Sequence, residues 1–231
     1  AGAAVTTGIQ NVLIGGLAGD ALSDADYNIA IGVNALGSDT KGNANTAVGA
    51  AALFNQNFTS VTDSVNTGIG FNAGYSITTG TNNTFVGGQA GDGTDDGNSN
   101  VAVGKAALSG NCGNYNTAVG AASLVAATGN NNTALGLSAG GALTTGNENI
   151  CIGFEAGTHD TSLQTGDNNI LIGNYIDASA ADTDNAIGIG YNVTAAGGYA
   201  TIGINTSDIR AQHGNVTWAT VSDERYKKDI V

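Results

Sequence analysis

NTAVGAAAL (Asn45–Leu53) is the stretch that decides the fold, because the chain repeats its pattern from end to end. Ten times an Asn is followed four residues later by a Gly, with Ile, Val or Leu directly before the Gly. The pairs are Asn11 and Gly15, Asn28 and Gly32, Asn45 and Gly49, Asn66 and Gly70, Asn83 and Gly87, Asn100 and Gly104, Asn116 and Gly120, Asn132 and Gly136, Asn149 and Gly153, and Asn169 and Gly173. Successive glycines lie 17, 17, 21, 17, 17, 16, 16, 17 and 20 residues apart, and two weaker copies follow at Gly190 and Gly203. A period near 17 is too short for paired helices. It suits one coil of a parallel β-roll or β-solenoid, in which a coil buries its apolar face only by stacking on its neighbours. The class expected is therefore all-β. The repeat shaft is expected to span 11–206 in about twelve units, the last two degenerate, after a lead-in at 1–10 and before a junction at 207–231.

Alternation along a strand places Thr46 and Val48 on one side and Ala47 on the other. Equivalents of Val48 are always aliphatic (Ile14, Ile31, Ile69, Val86, Val103), so this column is expected to stack every ~4.8 Å as a continuous spine. The Ala47 column is smaller and reads as the place where a second layer or another chain comes close. Ala stands three residues after the Gly in eight of the ten units; a second short strand is expected there. The Gly itself needs only a backbone explanation, a positive φ or close packing at a corner. The Asn can bond its own turn or join its copies in an amide ladder. Segments such as TTGTNN (Thr78–Asn83) supply turns between units, and the longer gaps mark loops.

With 37 Gly, no Pro, no Met and 11% charged residues, the surface must be covered by Asn, Thr, Ser and Gly. Up to Gly203 there are two basic side chains, Lys41 and Lys105, against fifteen acidic ones, which argues against nucleic acid as a partner. No stretch is apolar for long enough to span a membrane. Cys112 and Cys151 lie more than two units apart, beyond disulfide reach in a regular stack, and read as free thiols. His159 and His213 have no paired ligand at zinc spacing. The one loop with cation chemistry is GDGTDDG, where Asp92, Asp95 and Asp96 between glycines could wrap calcium. No other cofactor is read. Regular Thr arrays of the ice-binding kind are interrupted by Ile, Val and Ala at the same position. Paired carboxylates for polysaccharide cleavage are limited to Glu148 with Glu155 and the Asp92–Asp96 loop.

After Gly203 the spacing fails, and the chain ends SDERYKKDIV. Ser222 to Ile230 resembles the opening SDERxKKDI of the endosialidase-type intramolecular chaperone found at the C-termini of phage tail fibres and tailspikes. The resemblance implies a domain that trimerises the fibre and then cuts itself off, with Ser222 as nucleophile and Lys227, five residues on, as its base. Without the chaperone body the chain is expected to be inert, with self-cleavage only where the full domain follows. Read for itself, Ser222 is also a good helix N-cap, with Asp223 and Glu224 in the first turn.

Units such as NTAVGAAAL, NVAVGKAAL and NIAIGVNAL are similar to the head repeats of trimeric autotransporter adhesins and to phage fibres. Together the two resemblances imply a homotrimeric, extracellular fibre on a virion tail or cell surface, structural and adhesive, not an enzyme, that meets a host surface glycan or protein and does not insert into membranes. Alternatives are a bacterial surface adhesin or fibril subunit, and a polysaccharide-degrading tailspike.

Overall fold

The computed structural model describes residues 1–214 and 219–220. It is all-β, with no helix among the described residues, and its strands stack as a parallel solenoid with ~17-residue spacing. Fourteen strands form one sheet. The first is Val12–Ile14, and each following rung pairs in parallel with the one before it up to Tyr199–Ile204. Two antiparallel strands, Ser207–Gln212 and Ala219–Thr220, then close the order. Register follows the sequence motif: Thr46, Ala47 and Val48 sit opposite Thr67, Gly68 and Ile69, and these opposite Thr84, Phe85 and Val86.

Most strands are three residues long, yet the hydrogen bonding does not stop at their ends. Leu53 N donates to Ala73 O at 2.9 Å, Asn55 N to Tyr75 O at 3.1 Å, and Thr78 N to Asp95 O at 2.9 Å, so turns as well as strands are bonded coil to coil. Satisfying backbone groups throughout is what lets so glycine-rich a chain order itself. The expected second strand after the Gly forms only in the last coils, where Asp177–Ala178 pairs in parallel with Thr194–Ala195; it is absent from the earlier ones. Residues 50–55 form turns instead, because left-handed residues recur there, as at Ala51, Leu53 and Asn72. The lead-in joins the stack too, with Gly2 N bonded to Ala18 O at 3.0 Å.

At the corner, Gly15 through Gly190 of the repeat hold φ between +126° and +139°, a region closed to side chains. Space forbids a Cβ as well: at Gly104 it would stand 2.7 Å from the carbonyl of Gly120 in the next coil. The asparagines face inward. From Asn28 to Asn169 they are 0–1% exposed and form a continuous ladder. Asn100 Oδ1 accepts from Asn116 N at 2.8 Å, and Asn116 Oδ1 accepts from Asn132 N at 3.0 Å. Nearly every Nδ2 reaches a turn carbonyl of its own coil, as from Asn100 to Gly113 O at 2.9 Å, while that of Asn45 bonds Asn28 Oδ1. Of the two arrangements open to the Asn, the ladder is the one formed. A second ladder of opposite polarity runs along the half-buried edge, where Asn98 N donates to Asn114 Oδ1 and Asn114 N to Asn130 Oδ1.

Of the two neighbours expected for the small column, a second layer or another chain, the second layer is the one present, and the core lies on that side. Ala30, Ala47, Phe85, Ala102, Ala118, Ala134 and Leu171 are wholly buried, while the column of Val48 faces outward, with Ile14 57%, Leu135 49% and Ile69 39% exposed. The coil is too narrow for two aliphatic layers. Its width is filled by the small column, the alanines Ala18, Ala35 and Ala52, and leucines from the turns such as Leu36, Leu53 and Leu108. Where the small column carries a large side chain, the turn gives way. Phe85 fits because Gly74 and Gly91 lack a Cβ, which would sit 2.8 and 2.4 Å from its ring, and Leu13 fits beside Gly19 in the same manner. Asp39, 0% exposed, accepts from Gln56 Nε2 at 2.6 Å and from Gly42 N at 3.1 Å, tying down the 21-residue coil.

Candidate functional site

The outward side of the long sheet carries two columns. One holds Val12, Ile29, Thr46, Thr67, Thr84 and Val101 and continues as Thr117, Thr133, Ile150, Ile170 and Ile187; the other is the aliphatic column of Val48. Every position in both, through Ile202, is aliphatic or Thr, and none is charged. With twelve rungs ~4.8 Å apart and side-chain columns ~7 Å apart, the face is roughly 55 Å long and about 10 Å wide. That is on the order of 550 Å², the upper end of the largest apolar patches on monomeric proteins. Val33 and Phe71, 56% and 60% exposed, extend it past the corner glycines.

Aromatic side chains gather where coils carry extra residues. Phe54 stacks on Tyr75 with ring centroids 5.5 Å apart, and Phe154, Tyr175 and Tyr191 form an edge-to-face run at 5.2 and 5.8 Å. By sequence position no two of these tyrosines share a column. Tyr175 and Tyr191 nevertheless meet, since adjoining positions in successive coils are neighbours in space. Tyr27 and Tyr115 stand alone, 59% and 63% exposed.

The aspartates of the GDGTDDG loop are spread around their turn. Asp95 Oδ1 accepts from the Thr78 hydroxyl, Asp95 N donates to Asn111 Oδ1 at 3.1 Å, and the carbonyl of Asp92 accepts from Ser76 N. Asp92, Asp95 and Asp96 do not form a three-ligand group; among the described residues the one that does is His159 with Asp160 and Asp177. Asp177 lies one period beyond Asp160, so the 17-residue register was the signal that could have found it.

Both cysteines are free and buried. Burial pushes the Cys151 thiol up to about 12 and that of Cys112 to about 11, the latter against a lowering contact with the Thr94 hydroxyl at 3.0 Å. Neither is a nucleophile at neutral pH. Glu148 and Glu155 flank one rung, with the extended Asn149–Gly153 segment, roughly 13 Å of backbone, between them. Ser222 and Lys227 lie outside the described residues. Among those described, no helix is long and apolar enough to cross a membrane. Comparison with known protein families, curated proteins and solved structures returns no match.

Proposed function

We propose that the chain is a structural and adhesive shaft segment of a fibre, assembled from three copies on a virion tail or cell surface and contributing to attachment to a host glycan or protein. The observation that carries this reading is the uncovered aliphatic face, which runs without a charge along the whole stack. A lone solenoid has no use for some twenty aliphatic and Thr side chains in water; a symmetric assembly buries them, and closed symmetry also ends the contact at a finite number of copies. The resemblance of the repeats to trimeric fibre heads, and of Ser222–Ile230 to a trimerising chaperone, sets that number at three. The face that meets the other copies is then the Val48 column, while the small column stays inside each chain.

Ladders bonded from coil to coil suit a load-bearing rod. A bacterial adhesin or fibril subunit shares the architecture. The test is the native mass by light scattering, measured beside reducing-end release from capsular polysaccharide. Three times the 22.7 kDa chain with no sugar release is expected. One chain per particle overturns the trimer, and sugar release overturns the non-enzymatic reading.

A further inference from the structure

The coil between Asn149 and Asn169 is 20 residues long instead of 17. Its additional residues form the turn that holds His159 and Asp160 against the next coil. Asp160 N donates to Asp177 Oδ1 at 3.1 Å. The other oxygen, Asp177 Oδ2, faces His159 Nδ1 at 3.6 Å, outside hydrogen-bond distance, and Asp160 Oδ2 lies 3.4 Å from the same nitrogen. All three donor atoms are within 4.8 Å of one another.

Two features of this cluster ask for a cation. The Asp177 side chain is 6% exposed; its Oδ1 takes the Asp160 N–H, and its Oδ2 faces the His159 imidazole with no Lys or Arg beside it among the described residues. A second acidic side chain, Asp160, converges on the same nitrogen, so two carboxyl groups are brought together beside one imidazole. A tetrahedral ion with bonds of ~2.0–2.1 Å spaces its ligands about 3.4 Å apart, close to the two separations seen. The imidazole is oriented for the role by Tyr175, whose ring centroid is 4.5 Å from its own. Asp160, 79% exposed, leaves one side open to water.

We propose that His159 Nδ1, Asp160 Oδ2 and Asp177 Oδ2 form a binding site for a borderline divalent transition cation of the zinc class, with a solvent molecule in the fourth position. One nitrogen with two oxygens selects against calcium and magnesium, which require six or more oxygen ligands. The ion staples the long turn to the following coil. The inference stands on this geometry alone and does not depend on the fibre reading.

The full chain, stripped of metal by chelation, is titrated with ZnCl₂ by calorimetry, and its melting temperature is followed with ZnCl₂, CaCl₂ or MgCl₂. Expected are one zinc per chain and a raised melting temperature with zinc but not with the other two. His159→Gln, on an exposed turn, should fold as the parent does and bind zinc at least about tenfold more weakly, the scale on which even supporting groups of metal sites act. Asp177→Asn should do likewise. Absence of stoichiometric binding to the parent, unchanged affinity in His159→Gln, or equal stabilisation by calcium overturns the proposal.

Discussion

Buried Asn100 is held at both ends of its amide: Oδ1 accepts from Asn116 N, and Nδ2 donates to the partly buried Gly113 O. Asn100→Ala leaves one buried donor and one partly buried acceptor without partners, at about 1–3 kcal/mol each. A loss of roughly 2–5 kcal/mol is expected, read from urea unfolding. The chain contains its own comparison. At Ala186 the N–H still donates the ladder's last bond, to Asn169 Oδ1 at 2.9 Å, but no side chain carries it on, and the following coil contracts, with Gly203 only thirteen residues after Gly190. The thiols make a second residue-scale prediction. Cys112 and Cys151 should resist thiol reagents at pH 8 in the native state and both react after denaturation. Because the folded values, about 11 and about 12, lie above the ordinary 9.0, the fold prefers the protonated thiols. Their contribution is complete below pH 9 and is lost as pH climbs toward 11 and 12, so stability should fall with pH across that window.

One coil is governed by where a Cβ can and cannot stand. Gly104→Ala meets both a φ of +130° and the Gly120 carbonyl, so a loss of at least about 3 kcal/mol or failure to fold is expected. Gly88→Ala, one residue past a corner with nothing within 4 Å and no positive φ, should be neutral or slightly stabilising by thermal melting. This level was largely legible beforehand. Asn and Gly at fixed spacing located each rung, and alternation separated Val48 from Ala47. What alternation does not tell is which side is the inside. A coil that must also hold the turn leucines has room mostly for alanine, and that depends on residues such as Leu53 and Leu108, far from the strand motif. The exchange of Phe85 against Gly74 and Gly91 was hidden for the same reason. Phe85→Ala should therefore open a cavity and cost about 3–5 kcal/mol, measured by chemical unfolding. The cluster of His159 with Asp160 and Asp177 escaped a search for metal-ligand spacing because its ligands are joined across coils, not along the chain.

At the scale of the whole molecule, the placement of the core has a functional consequence. With alanine and leucine filling each coil, the interior is complete within the chain, and the Ile and Val column is left on the surface, where the proposed assembly would use it. The hydrogen-bonded rungs fix these side chains on a long, even surface, which is why one contact repeated along the rod can be extensive even though each rung adds little. The most direct measurement is light scattering on the parent and on the double variant Val86→Lys, Val103→Lys, which places two charges on the outward column without touching the core. The account predicts three chains per particle for the parent and single chains, with an unchanged β-type circular dichroism spectrum, for the variant. Three chains in both would show that this face is not where the copies meet, and a single-chain parent would contradict the assembly itself.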